Sequence, residues 1–230
     1  MRHHVGQDLR RPPINVHITS HPLALSALAR MRASACDQAG FRREVQTLTS
    51  VLMLEATAGL TTHPVRVQTP VDIAPGHELA EPVLLLPVLR AGLGMLDAAT
   101  AWLPNAAVGF VGMVRNEQTL LAAAYATRLP ADLTGVHVLV LDPMLATGGT
   151  LEQVFDLLVE RGARTLTAVV LVTAPEGEAR LASWDRDHPE VTVKVVTGAR
   201  DERLNEDGYI VPGLGDAGDR LFGTAGELRT

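Results

Sequence analysis

Short apolar runs alternate with helical periodicity through most of the chain. PVLLLPV (82–88), AAVGFVGMV (106–114), VHVLVL (136–141), TLTAVVLVT (165–173) and VTVKVV (191–196) are bounded by polar or turn-forming residues. Runs of this length and composition read as buried strands of a mostly parallel sheet. Between the third and fourth runs, Leu151, Val154, Phe155, Leu158 and Val159 recur at helical spacing. Glu152, Gln153, Asp156 and Glu160 occupy the other face, and Gly162 follows as a stop. Strand, loop, helix and strand make a βαβ unit, so the predicted fold class is α/β. Upstream, one helix is expected from about Pro22 to Ala33 and a second from about Asp37 to Ala58. The second has Phe41, Val45, Leu48 and Leu52 on one face and Asp37 as its cap. Residues 1–20, with Pro12-Pro13, read as a loosely held arm. The stretch from about Arg200 onward reads as too glycine-rich for a helix, although it carries turn and acid signals. There is no internal repeat, low-complexity tract or linker, so residues 1–230 are read as one domain.

Composition narrows the classes of function. The 230 residues are 47% hydrophobic and 20% charged, an ordinary globular balance, but only 3% aromatic, so aliphatic side chains must fill the core. A net charge of −6 argues against a nucleic-acid footprint, which is usually basic. The single cysteine, Cys36, allows no intramolecular disulfide and suits a reducing, cytoplasmic setting. MRHHVGQDLR has no apolar stretch of signal-peptide length. Residues 91–114 carry one charge, Asp97, but Gly92, Gly94 and Pro104-Asn105 interrupt the run. It is therefore read as a helix, a turn and a strand rather than a membrane span.

The chemistry concentrates at strand ends. VHVLVL runs directly into Asp142, and DPMLATGGT (142–150) leads into the predicted helix. Ligands of open α/β sheets bind at the carboxyl ends of strands. A helix N-terminus there offers free N–H groups and a positive dipole end to a phosphate. Gly148 and Gly149 permit close approach, Thr147 and Thr150 add hydroxyl donors, and Asp142 can accept hydrogen bonds from sugar hydroxyls. The segment is neither GxxxxGK[ST] nor GxGxxG. A plain capped turn, with Thr147 as the cap, is the competing reading.

DPMLATGGT resembles the phosphoribosyl-diphosphate (PRPP) loop of type I phosphoribosyltransferases, in the form used by the uracil phosphoribosyltransferase family. Many type I enzymes place two adjacent acids here; Asp142 followed by Pro143 matches the uracil branch. The resemblance implies that Asp142, Pro143, Met144, Leu145, Ala146, Thr147, Gly148, Gly149 and Thr150 hold the ribose and its 5′-phosphate. PVLRAGLGM (87–95) follows another strand. Its Gly92 and Gly94 permit an unusual backbone, and Arg90 adds a guanidinium, a combination suited to a diphosphate. It is similar to the family's diphosphate loop. VGMVRNEQTL (111–120) carries the family's RNE, which implies that Arg115 meets the diphosphate from a flexible arm covering the substrate. Val114 stands where the family often has tyrosine, and AAAYATRLP lacks the usual Pro-x-Pro-Tyr, so closure of residues 116–130 is expected to differ.

LNEDGYIVPGLGDAGDRLFGT (204–224) reads either as a glycine-rich surface tail or as a backbone-rich loop able to bind a nucleobase edge. Uracil presents an acceptor, a donor and an acceptor along one edge, which main-chain groups can match. YIVPGLGDAGD closely resembles the family's uracil loop. It implies that Ile210, Gly215, Asp216 and Ala217 contact the base, that Asp216 also faces PRPP, and that about 199–224 forms a hood. HPL (21–23), LEATA (54–58) and TAPEG (173–177) are weaker matches, and His21 is given no chemistry. The implied activity is conversion of uracil and PRPP to UMP and diphosphate in pyrimidine salvage. Arg90, Arg115, Asp142 and Asp216 would be catalytic, with Mg²⁺ held mainly through PRPP. The resemblance also implies a homo-oligomer and, as in some relatives, GTP as an activator. A purine-base phosphoribosyltransferase and a non-catalytic regulator binding RNA or nucleotide are the alternatives. YIVPGLGDAGD disfavours the first, and the negative charge disfavours the second.

Overall fold

The computed structural model describes residues 14–115 and 122–224. In chain order the elements are β1 (Asn15–Ile18), α1 (Pro22–Arg32), α2 (Gln38–Thr57), β2 (Thr62–Gln68), β3 (Ile73–Leu79), β4 (Val83–Leu89), α3 (Leu93–Trp102), β5 (Ala107–Val108), β6 (Phe110–Arg115), β7 (Ala122–Arg128), β8 (His137–Leu141), β9 (Met144–Leu145), α4 (Gly149–Val159), β10 (Thr165–Thr173), α5 (Pro175–Asp187), β11 (Thr192–Arg200), β12 (Arg203–Leu204), β13 (Ile210–Val211) and α6 (Ala217–Phe222).

The main sheet runs β1-β11-β10-β8-β4-β6-β7, with β5 on β4 and β9 on β10. All its pairings are parallel except β6–β7. Side chains alternate between two buried layers, as the two-residue period of a strand requires. Leu85, Leu139, Leu141, Val169, Leu171 and Val196 pack under α1, α2 and α3. Leu84, Leu86, Val138, Val140, Ala168 and Val170 pack under α4 and α5. The α4 stripe of Leu151, Val154, Phe155 and Leu158 is fully covered, each side chain contributing about 1.5–3 kcal/mol. Both faces are therefore apolar, which explains why the strands read as continuous apolar runs. Asp37 caps α2 by accepting from the Gly40 N–H at 2.7 Å. Residues 91–114 form a helix, a turn and strands, and no helix among the described residues is long and apolar enough to cross a membrane.

Three expectations need correction. Asn15–Ile18 belongs to the sheet, pairing in parallel with Lys194–Thr197. It is an exposed edge strand, so it lacks the apolar alternation that marks an interior one. The glycine-rich tail does form a helix, α6. Asp216 caps it by accepting from the Asp219 N–H at 2.9 Å, and Ala217 and Leu221 anchor it in the core. Six residues are too few for periodicity to register. The predicted strand 106–114 is two strands, β5 and β6, either side of Gly109. The β2–β3 hairpin and β7 carried no clear apolar pattern, and the structure alone reveals them.

Candidate active site

The strand order places the site. The chain leaves β4 for β6 and β7 on one side, then returns to lay β8 against β4 on the other. The loops after β4 and β8 therefore diverge at a topological switch point, with both carboxyl ends at the same edge. Open α/β sheets hold their ligands in that crevice.

Asp142 stands at the end of β8. It retains some contact with solvent at the crevice mouth, but its carboxyl is packed deeply enough that burial pushes its pKa up to about 7. The main-chain N–H of Met144 donates to it and pulls the other way. Pro143 and Leu145 are buried, and the loop is stitched to β10. The Pro143 carbonyl accepts from Leu171 at 2.9 Å, and Met144 and Leu145 pair with Val172 and Thr173. Gly148 takes the cap position of α4 in the left-handed conformation, at φ 79°. Thr147, the cap in the competing reading of a plain capped turn, is not the cap residue. Glycine has no side chain to satisfy the first N–H groups of α4, so they remain available to an anion. Gly149 and Thr150 form the first turn of α4.

The loop after β4 reaches the same crevice. Gly92 is right-handed, at φ −60°, so its value lies in space rather than in an unusual backbone. A Cβ there would collide with the carbonyl oxygen of Leu141 and stand 2.7 Å from main-chain atoms of Val88. Only glycine lets α3 start this close to the end of β8. The Leu89–Arg90 peptide is cis. The Arg90 side chain is exposed and lies 3.7 Å from the Asp219 carboxylate.

The C-terminal segment faces these loops. The β12–β13 hairpin turns on Asn205, whose side chain accepts from the N–H groups of Asp207 and Tyr209. After it come Gly213 and Gly215, both left-handed, and then α6. Between this segment and the sheet lies a pocket of ≈ 250 Å³. Asp142, Met144 and Ala146 line one wall, and Ile210, Gly215, Asp216 and Ala217 line the other. The structure thus brings two sequence-distant sets together in one cavity. Ala91, Gly208, Tyr209 and Gly218 also line it and were not assigned to the site from sequence. Their only signal was adjacency to residues that were. Arg115 ends β6, but its side chain, Asn116-Glu117 and the rest of 116–121 lie outside the described residues.

A strand-end carboxylate running into a helix N-terminus and a guanidinium loop at the switch point, roofed by a glycine-rich segment, sit on the fold of the type I phosphoribosyltransferase class. Residues 18–224 match the family described as Uracil phosphoribosyltransferase. The chain belongs to the uracil phosphoribosyltransferase family. It is 52% identical to the uracil phosphoribosyltransferase of a Nocardioides species, over 93% of this chain and all of that one. It is equally identical to that of Streptomyces griseus, over 92% of this chain and all of the other. A solved protein structure from Aquifex aeolicus superposes with a TM-score of 0.84 at 36% identity, covering 92% of this chain and all of that chain.

Proposed function

We propose that the protein transfers the phosphoribosyl group of PRPP to uracil, giving UMP and diphosphate. The observation that carries this reading is the pocket itself. The strand-end carboxylate of Asp142 lines it together with the glycine-rich segment 208–218, and the N-terminus of α4 follows on the same loop. In the reaction a bond forms between uracil N1 and the anomeric carbon. The bond from that carbon to the diphosphate oxygen breaks, and the N1 proton leaves. Little covalent work falls to the protein, so positioning and electrostatics dominate.

Asp142 receives the ribose hydroxyls as hydrogen-bond donors, which favours its ionised form. The N–H groups at Gly149 and Thr150, with the hydroxyls of Thr147 and Thr150, take the 5′-phosphate and fix the anomeric carbon beside the base recess. Arg90 moves from Asp219 to the diphosphate. An exposed pair 3.7 Å apart is weak, so the exchange costs little. The family resemblance assigns Arg115, whose side chain lies outside the described residues, to the same diphosphate. Ile210, Gly215, Asp216 and Ala217 read the base. A recess that hydrogen-bonds uracil's edge rejects cytosine, which puts a donor where uracil has an acceptor. Among the described residues no cluster of three His, Cys, Asp or Glu side chains is placed to hold a metal ion. Mg²⁺ would be held mainly through PRPP and would offset the diphosphate charge. Asp216 helps the N1 proton leave, directly or through water. Asparagine caps a helix as well as aspartate, so Asp216→Asn preserves α6 while removing the charge. Turnover should fall by roughly 10²-fold, and full retention would remove Asp216 from proton transfer.

The reading extends to a cytoplasmic homo-oligomer activated by GTP, as in some relatives. Adding GTP to the assay tests that part. The central test is UMP formation from labelled uracil with PRPP and Mg²⁺, with cytosine and hypoxanthine alongside. Turnover with uracil alone is expected. Turnover with a purine would keep the PRPP loops but break the assignment of residues 210–217. PRPP binding without turnover would favour a regulator.

A further inference from the structure

The loop that reads the base has few side chains with which to hold its own shape. Gly213 and Gly215 both lie in the left-handed region, and glycine loses the most freedom on ordering. The restraint comes from the end of α1. Arg32 donates from Nη2 to Asp201 Oδ1 at 2.6 Å and from Nη1 to Asp201 Oδ2 at 2.9 Å. The same Nη1 donates to the Gly213 carbonyl at 3.1 Å. Asp201 Oδ2 in turn accepts from the Gly213 N–H at 2.9 Å. One ion pair therefore holds both main-chain polar groups of Gly213. The pair is shielded, with the Asp201 side chain 5% exposed and that of Arg32 23% exposed. A Cβ on Gly213 would collide with the Ile210 carbonyl oxygen, so only glycine fits at the clamped position. The pocket-lining residues Gly215 to Gly218 begin two positions further on.

We propose that Arg32 and Asp201 are positioning residues for the nucleobase. By clamping Gly213 they fix the path of residues 210–217, so that its main-chain donors and acceptors stand in register with the uracil edge. Neither residue lines the pocket, so neither touches the base. Arginine is required because its planar fork makes the two parallel bonds and the third to the carbonyl together, which a lysine cannot do. This inference rests on reading the pocket as the uracil site.

Arg32→Met removes the donors and keeps most of the apolar stem. The expected result is a KM for uracil raised about tenfold or more, as misplacement by a fraction of an ångström allows. The KM for PRPP should stay within about twofold, and the preference for uracil over cytosine should narrow. Arg32→Lys should recover part of the loss. Asp201→Asn, which keeps an acceptor for Gly213, provides a milder variant should Arg32→Met fail to fold. Thermal melts and PRPP binding on each variant separate misfolding from mispositioning. The proposal is overturned if folded variants keep the parental KM for uracil, or if both KM values rise together. A parent protein that does not convert uracil would instead overturn the reading of the pocket.

Discussion

The two walls of the pocket are built by opposite means. The sheet-side wall, the phosphate wall of the proposed reading, is mainly one unbroken stretch: Asp142, Met144 and Ala146 line the pocket, and left-handed Gly148 and the start of α4 follow directly. The base wall takes its shape from far away. Arg32 and Asp201 hold Gly213 across 181 and 12 positions of sequence respectively. Arg220 donates to the carbonyls of Met31 at 2.6 Å and Leu214 at 2.9 Å, and its guanidinium lies 4.1 Å over the Phe41 ring. Gln38 and Arg42 both donate to the Leu221 carbonyl. A general anion site can be written locally, because a strand end and a helix N-terminus supply it with main-chain groups. A site that must match one particular base edge needs its main chain held from several directions, and those supports come from elements distant in sequence.

The strongest challenge to that contrast is Arg90, the side chain that bridges the walls through Asp219. Arg90→Ala should lower turnover on the order of 10²-fold or more, comparable with losing one transition-state donor. An unchanged initial rate at saturating substrates would remove Arg90 from the site and leave the walls unconnected.

Asp142→Asn tests the phosphate wall alone. It should raise the KM for PRPP about tenfold and leave that for uracil nearly unchanged, a loss of about 1.4 kcal/mol. It should also change the pH response. The Asp142 pKa in the folded protein is about 7, above its ordinary value near ~4. Between those values the unfolded chain has released the proton and the folded protein has kept it. Stability from this group is therefore lost as pH rises from about 4 through about 7. The asparagine variant should gain in melting temperature relative to the parent across that window. In the parent, kcat/KM for PRPP should climb as pH rises through about 7, because ribose hydroxyls need the ionised carboxylate as acceptor. A flat difference in melting temperature and superimposable rate profiles would show that Asp142 does not titrate there.

Arg220→Met should have the smallest kinetic effect and the most one-sided. Losing two strong carbonyl contacts and the Phe41 stack should cost about 1–3 kcal/mol of stability by urea unfolding. Any kinetic effect should fall on uracil rather than PRPP. An equal effect on both substrates would mean that the walls share their supports.

Much of this molecule was legible in the chain. Apolar runs gave the five principal strands, because a sheet covered on both faces needs no polar alternation. The 151–159 stripe gave α4, and the acid and glycines after VHVLVL marked the turn from β8 into α4, since every part of that turn is contiguous. The family motifs gave Ile210, Gly215, Asp216 and Ala217 as pocket residues before any contact was visible. Edge strand β1, the β2–β3 hairpin and α6 left no clear periodic signal, because they are exposed or too short. Gly92 was visible as a glycine, but the reason for it was not. The constraint is the Leu141 carbonyl of another strand, not its own dihedral angles. The sequence by itself determined the local parts: the strands, the main helices and the turn from β8 into α4, each set by short-range periodicity and main-chain geometry. Only the tertiary structure decided that β8 returns beside β4, that burial holds Asp142 near neutrality, and that Arg32 reaches Asp201 and Gly213. Those outcomes depend on which distant groups share a low-dielectric interior, and that is fixed only when the whole chain packs.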